Sequence, residues 1–267
     1  MDDRKCIVSL RMVSLILMTA AVIVLPLVAG AQVFSYGRAD FAGGSTYPGS
    51  VTVADFNGDG RPDLAVTNPQ NNQISILLGT ANGGFVTGAT YATGSDPTAL
   101  VAADFNGDKK IDLAVVNAQA GTISIFVGNG DGTFQTRVDY AVGESPAGIV
   151  AADFNGDGTI DLATISTNDS AIAVLLGKGD GSFEVEGLIP VASEPTLLAG
   201  GDVNGDGKVD LITCNNTYSS ATITVLLSNG DGTFKQVESQ APAFASGIGI
   251  ADFNHDGKLD AVIVANY

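Results

Sequence analysis

The sequence has few of the side chains on which most catalytic and transition-metal centres depend. Among its 267 residues are one His, two Cys and no Trp. Zinc sites are built from clustered Cys and His ligands, so no such site can be assembled here. The single imidazole, that of His255, lies within an acidic segment, and neither a G-x-S-x-G nor a Ser-x-x-Lys motif is present. We therefore expect no catalytic residues, no organic cofactor and no enzymatic activity.

Positive charge is also scarce. The chain has 12 Lys and Arg residues against 29 Asp and Glu residues, which gives a formal net charge of −17. Proteins that bind DNA or RNA neutralise phosphates with a basic surface. The charge balance therefore excludes nucleic acid as an expected partner, and it leaves the many carboxylates to be explained.

Long apolar runs are confined to the N-terminus. The run "MVSLILMTAAVIVLPLVAGA" follows three basic residues and ends at Ala29-Gly30-Ala31, which is typical of a signal peptide with an A-x-A cleavage site. We predict a signal peptide over residues 1–31, cleaved before Gln32, and a secreted, cell-surface or periplasmic product without a membrane span. The alternative is an uncleaved anchor, because the run is nearly long enough to cross a bilayer.

Cysteine is too scarce to stabilise the exported product. Cleavage would remove Cys6 and leave Cys214 as the single thiol. One Cys cannot form an internal disulfide, so the fold must be held together by other means. We interpret Cys214, within "LITCN", as a small apolar residue of a strand.

Many of the carboxylates lie in copies of one nine-residue pattern, first seen as "DFNGDGRPD". A type I′ hairpin turn would explain Asn57-Gly58 between two apolar runs, but it does not explain three mutually repelling aspartates. The copies are separated by 49, 49, 49 and 50 residues, and they begin at Asp55, Asp104, Asp153, Asp202 and Asp252. Five copies in register indicate a shared function for the acidic side chains.

The spacing of the oxygen side chains predicts calcium. Oxygens at loop positions one, three, five and nine, with Gly at six, match the calcium-loop pattern D-x-[DN]-x-[DN]-G, and Ca²⁺ prefers six to eight oxygen ligands. In the second loop Lys109 replaces the Gly, so we expect that site to be the weakest. The alternative is a set of acidic turns that bind no ion. The predicted side-chain ligands are Asp55, Asn57, Asp59, Asp63, Asp104, Asn106, Asp108, Asp112, Asp153, Asn155, Asp157, Asp161, Asp202, Asn204, Asp206, Asp210, Asp252, Asn254, Asp256 and Asp260.

The apolar segments follow the same period. Each complete repeat continues from the loop into a strand such as "LAVTN", a second such as "ISILLG", a glycine turn and a more polar strand. Four strands in 40 to 50 residues are typical of a propeller blade. We predict an all-β β-propeller over residues 32–267, with repeats beginning near residues 49, 98, 147, 196 and 246. The alternative, a linear array of separate sheets, would leave an apolar face of each sheet exposed.

The two ends of the predicted propeller differ from its middle. Residues 33–47 align with the outer fourth strand of a blade, whereas the fifth copy supplies a first and a second strand before Tyr267. We therefore expect an incomplete propeller at the C-terminus. An unpaired strand edge in the last blade would favour self-association or an open arc.

The loops and repeats resemble the FG-GAP and VCBS repeat families, which include the propellers of integrin α-subunits. The resemblance covers residues 33–267, although literal FG and GAP boxes are absent or degenerate. It implies that each loop joins the first and second strands of a blade and binds Ca²⁺, with up to five ions in all. It does not transfer integrin ligand binding, which depends on other loops and a partner chain. It also implies that a backbone carbonyl at loop position seven completes each site, and these carbonyls belong to Arg61, Lys110, Thr159, Lys208 and Lys258.

These features predict an exported calcium-binding propeller that acts as a non-enzymatic adhesion or recognition module. Its expected partner is an extracellular protein or a glycan. The alternatives are the propeller portion of a carbohydrate-active enzyme or lectin, and a structural surface spacer. Glycan sites favour stacked aromatics, so the lack of Trp slightly favours a protein partner or a structural role.

Overall fold

The computed structural model of the chain describes residues 48–216, 221–241 and 245–265. The predicted signal peptide and residues 33–47 lie outside this part of the chain. The described part is almost entirely β-structure, with a short 3-10 helix at Pro69–Asn71. Its strands form five antiparallel sheets, and within each sheet the strands lie side by side in sequence order.

The strand bounds repeat from sheet to sheet. The first sheet contains β1 (Val51–Ala54), β2 (Asp63–Asn68), β3 (Gln73–Gly79) and β4 (Phe85–Ala92). The second contains β5 (Pro97–Ala103), β6 (Asp112–Asn117), β7 (Thr122–Phe126) and β8 (Val138–Ala141). The third contains β9 (Pro146–Ala152), β10 (Asp161–Ser166), β11 (Ala171–Gly177) and β12 (Phe183–Pro190). The fourth contains β13 (Pro195–Gly201), β14 (Asp210–Asn216), β15 (Ala221–Ser228) and β16 (Phe234–Ala241), and the fifth contains β17 (Ala245–Ala251) and β18 (Asp260–Ala265).

The second and third strands of each complete sheet form its core because they are apolar on both faces. Every residue of β10 is buried. Successive strand residues point to opposite faces, so Leu162 packs in the cluster shared with the second sheet and Ala163 in the cluster shared with the fourth. The fourth strands are more polar and more exposed, as in β12, where Val185 and Leu188 reach solvent.

Neighbouring sheets stack face to face. One apolar cluster joins the first and second sheets, another the second and third, and a third the third and fourth. The first strands are in contact in succession, β1 with β5, β5 with β9, β9 with β13 and β13 with β17. These are the blades of a β-propeller with the first strand innermost, as predicted, and the alternative of separate sheets is wrong. The sheets are called blades 1 to 5 below.

The up-and-down order of the strands sorts the turns to two ends of the blades. Turns from first to second strand and from third to fourth strand lie at one end, which we call the loop end. Turns from second to third strand, and the connections to the next blade, lie at the opposite end. Residues far apart in sequence therefore meet at each end.

Cys214 is buried in β14 and has no disulfide partner, as predicted. Burial raises the pKa of its thiol, which disfavours the reactive thiolate. Cys214 is thus a packing residue. No helix in the described part of the chain is long and apolar enough to span a membrane.

Candidate metal sites

Each acidic loop joins the first and second strands of its blade. In blade 1, Ala54 pairs with Asp63, so residues 55–62 form the loop. Gly58 has a φ of +72°, but Asn57 is not among the residues with positive φ. A type I′ turn requires positive φ at both central residues, so the type I′ assignment is wrong, whereas the predicted strand–turn–strand arrangement is confirmed.

The side chains at loop positions one, three and five converge on their own loop. In blade 1, Asp55 Oδ2 accepts the N–H of Gly60 at 2.7 Å, and Asn57 Oδ1 accepts the N–H of Asp59 at 3.0 Å. Asp59 Oδ1 accepts the N–H of Arg61 at 2.9 Å. The same three hydrogen bonds recur in the other four loops. The structure therefore brings these predicted ligands together, blade by blade.

The ninth-position aspartate has a different environment. Its carboxylate is fully buried in the first four loops, at Asp63, Asp112, Asp161 and Asp210. Asp161 Oδ2 accepts the N–H of Phe154 at 2.8 Å, and its Oδ1 accepts the N–H of Gly177 at 2.8 Å. The carboxylate thus joins the loop to the end of the third strand, a structural role that the spacing alone did not reveal. In blade 5 the equivalent Asp260 is half-buried and accepts the N–H of Phe253.

The pKa shifts differ between the ninth-position aspartates and a first-position aspartate. Burial raises the pKa of Asp112 and Asp161 despite their N–H donors, and the other two aspartates of each loop raise it further. The pKa of the first-position Asp202 lies below its ordinary value, chiefly because the N–H of Gly207 stabilises the charged form. Each loop with a raised ninth-position pKa therefore holds a buried charge that a nearby cation would stabilise.

The seventh-position residue lies between the fifth- and ninth-position aspartates in every loop. Its side chain contacts neighbouring groups. Arg61 pairs with Asp59 and donates Nε–H to the carbonyl of Gly79, and Lys110 Nζ lies 3.4 Å from Asp108. Thr159 donates its hydroxyl to Asp157. A carbonyl ligand at this position stays a prediction.

The chemistry of the oxygen donors in each loop suits calcium. Each loop offers carboxylate and amide oxygens with no nitrogen or sulfur ligand, which suits a hard cation. A carboxylate has about four acceptor sites, so an oxygen that receives an N–H can also bind an ion. In the described residues, no three His, Cys, Asp or Glu side chains are placed together to hold a metal. The predicted site would also use the amide oxygen at position three and the carbonyl at position seven, and calcium binding stays a prediction.

In all five loops the residues at positions four and six have positive φ. Position six has a φ of +81° at Gly60 and +66° at Lys109, so the strain predicted for Lys109 is present. Position four shows the same constraint, with a φ of +76° at Gly156 and +62° at His255. The backbone strain at His255 was not predicted, although its place in the sequence, where the other four loops have Gly, was the available signal. Two of the five loops thus contain one strained residue each.

Replacing Lys109 with Gly is expected to stabilise the protein by about 0.5–1 kcal/mol in the absence of calcium. The change relieves left-handed strain at a cost in unfolded-state entropy that is smaller than the strain. The reverse change, Gly158→Lys, is the matched control and should destabilise by a similar amount. Urea denaturation of both variants measures the difference, and an unchanged or less stable Lys109→Gly protein would contradict the strain argument.

Asp161→Asn is expected to lower the free energy of unfolding by about 1–3 kcal/mol, because the amide can accept only one of the two buried N–H groups. Relief of the buried charge and of repulsion within the loop opposes this loss, but the buried N–H group left without an acceptor costs more. Asp180→Asn, in an exposed turn where it accepts the N–H of Ser182, is the control and should be near neutral. Equal stabilities of the two variants in chelator would show that the buried hydrogen bonds are unimportant.

A second feature lies at the opposite end of the blades. A cavity of about 550 Å³ opens between the turns of blades 1 and 2 and the connections that follow them. Five of its seven lining residues are polar, and they include Asp96 and Ser145, both with positive φ although each precedes a proline. The lining residues are Pro69, Gln70, Asn72, Asp96, Ala118, Gln119 and Ser145. No sequence motif marked this cavity, because its residues come from four separate segments.

Three segments match the FG-GAP-like repeat: residues 55–115, 104–164 and 202–263. Together they span more than half of the chain, so the chain belongs to the FG-GAP-like repeat family. Each match begins at or next to the first aspartate of a loop and runs into the following repeat, which confirms the resemblance and the period. No curated protein matches the sequence.

Solved structures resemble the chain in fold alone. BBS1N, solved in complex with ARL6DN, matches with a TM-score of 0.57 and 15% identity over 78% of this chain and 62% of that one. A protein from Lactobacillus plantarum matches with a TM-score of 0.56 and 15% identity, covering 80% of this chain and 70% of that one. A putative 6-phosphogluconolactonase from Bacteroides fragilis matches with a TM-score of 0.56 and 16% identity, covering 73% of this chain and 55% of that one. The chain spans about three fifths of the length of BBS1N, and these likenesses support the propeller and no specific activity.

Proposed function

We propose that the protein is an exported, calcium-stabilised propeller that serves adhesion or recognition and has no enzymatic activity. The observation that carries this proposal is the fivefold recurrence of an oxygen-only loop at the same turn of successive blades. One acidic turn could be incidental. Five equivalent turns with the same side-chain hydrogen bonds favour a shared ligand.

Calcium would be held by the side chains at positions one, three, five and nine and by the carbonyl at position seven. The ion would offset repulsion among the three carboxylates of each loop. It would supply structural stabilisation only, since all of the clustered carboxylates are engaged by the loops themselves. The chain would then present a stiff set of blades whose opposite end is free for recognition.

The polar cavity at the opposite end is the best candidate for a contact surface. Its Gln70 and Gln119 offer amide donors and acceptors, and Asp96 offers a carboxylate. Such groups suit a polar extracellular protein segment or a glycan. A double change, Gln70→Ala with Gln119→Ala, should remove binding to a glycan array or to purified extracellular proteins without changing calcium binding. Equal binding by the wild type and the double variant would remove the cavity from the proposal.

Calorimetric titration with calcium tests the metal part of the proposal. Extracellular calcium modules bind with dissociation constants of about 10⁻⁴–10⁻³ M, so millimolar concentrations are needed. Asp153→Ala should remove one complete site, whereas Asp104→Ala should remove less binding because Lys109 already weakens that loop. The absence of measurable binding by the wild type would refute the proposed function.

A further inference from the structure

The first three acidic loops are each covered by the next blade. The residue after the first aspartate is a buried Phe at Phe56, Phe105 and Phe154. Each ring meets, edge to face, the Phe that follows the glycine turn of the next blade, with ring centroids 5.5–5.8 Å apart. Such pairs stabilise by about 0.5–1.5 kcal/mol beyond the apolar area that they bury. The partner rings are Phe134, Phe183 and Phe234.

Backbone hydrogen bonds reinforce two of these contacts. The N–H of Gly132 in blade 2 donates to the carbonyl of Phe56 in blade 1 at 2.9 Å. The N–H of Gly232 in blade 4 donates to the carbonyl of Phe154 in blade 3 at 3.2 Å, and the hydroxyl of Ser228 donates to the same carbonyl at 3.3 Å. The glycine turns of blades 2 and 4 therefore rest directly on the loops of blades 1 and 3.

The approach of the two backbones is close. A Cβ atom at Gly156, position four of the third loop, would lie 3.3 Å from the carbonyl oxygen of Gly230. The fourth and fifth loops lack this cover in the described part of the chain. Val203 is half-buried and Phe253 is 55% exposed, although they occupy the position of the buried Phe residues. The chain thus contains three covered loops and two uncovered ones.

We infer that each covered loop and the glycine turn of the next blade form one unit, so that calcium bound in the loop of one blade strengthens its contact with the next. This inference rests on the proposed function. The covered Phe of each loop lies between two predicted ligands; Phe154, for example, lies between Asp153 and Asn155. A calcium ion that binds both ligands would fix the Phe carbonyl and the Phe ring that the next blade contacts.

Linkage makes the effect reciprocal. If the loop binds calcium better when the turn is docked, calcium stabilises the docked turn by the same free energy. The turn contains no predicted ligand, so any response of its amides to calcium must pass through the loop. The ions in the first three loops should therefore hold neighbouring blades together.

Amide hydrogen exchange, measured residue by residue by NMR, tests this directly. Calcium at ten times the dissociation constant should slow exchange about tenfold at Gly158, which donates to Asp153. The amide of Gly232, in the next blade, should slow with the same calcium midpoint. Asp153→Ala should abolish the effect of calcium at Gly232 and leave it intact at Gly132, and Asp55→Ala should do the reverse.

The outcomes separate the inference from the proposed function. Slower exchange at Gly158 with no calcium effect at Gly232 would overturn the inference while calcium binding stood. No calcium effect at either residue would refute the proposed function, and the inference with it. The wild-type titration gives this answer even if one of the alanine variants fails to fold.

Discussion

Removal of calcium is expected to lower the free energy of unfolding by as much as about 7 kcal/mol. At ten times its dissociation constant, one bound ion contributes about 1.4 kcal/mol, and five independent sites would contribute five times as much. A whole domain is commonly stable by about 5–15 kcal/mol, so chelation should produce a large fall in melting temperature. The measurement is thermal and urea denaturation with calcium and with EDTA.

The control for this experiment is EDTA already saturated with calcium. It contains the same chelator but cannot remove calcium from the protein. Coincident unfolding curves in EDTA and in excess calcium would rule out structural calcium. The expected loss is distributed unequally among the five loops, because Lys109 strains the second loop.

In the calcium-free protein, the contribution of Asp112 and Asp161 to the pH dependence of stability should have a sign opposite to that of ordinary salt-bridged carboxylates. The pKa of Asp112 and of Asp161 is raised in the folded state by burial. Their contribution to stability is therefore fully present below the unfolded pKa and is lost as the pH rises through the folded pKa. Calcium should reverse this loss at neutral pH, because a cation stabilises the charged form of both groups.

Phe154→Ala is expected to lower the free energy of unfolding by about 3–5 kcal/mol, even in chelator, since it removes a fully buried ring between blades 3 and 4. The contact with Phe234 and the apolar cluster around it would be replaced by a cavity. Urea denaturation in EDTA separates this packing effect from calcium binding.

Phe253→Ala is the matched control, because the same loop position is 55% exposed in blade 5. Exposed positions usually change stability by less than about 0.5 kcal/mol. A loss at Phe253 equal to that at Phe154 would mean that the loop position itself, and not the contact with the next blade, requires the aromatic ring.

The sequence by itself determined the period, the strand order within a repeat and the places of the loops. These features are local: apolar runs such as those of β6 and β10 are buried on both faces, and a repeat of 49 residues leaves room for four strands and their turns. The strain at Lys109 was also predictable, because its neighbours in register are glycines. The residues at loop positions one, three and five converge because they lie within five consecutive positions.

The tertiary structure alone decided which loops are covered, what the ninth-position aspartates contact and where the polar cavity lies. The cover over the third loop includes a hydrogen bond between Ser228 and Phe154, 74 positions apart in the chain. Such contacts depend on how successive blades stack, and no pattern within one repeat encodes them. Phe154 and Phe253 occupy the same loop position, yet within the described residues Phe154 is buried against Phe234 of the next blade and Phe253 is exposed.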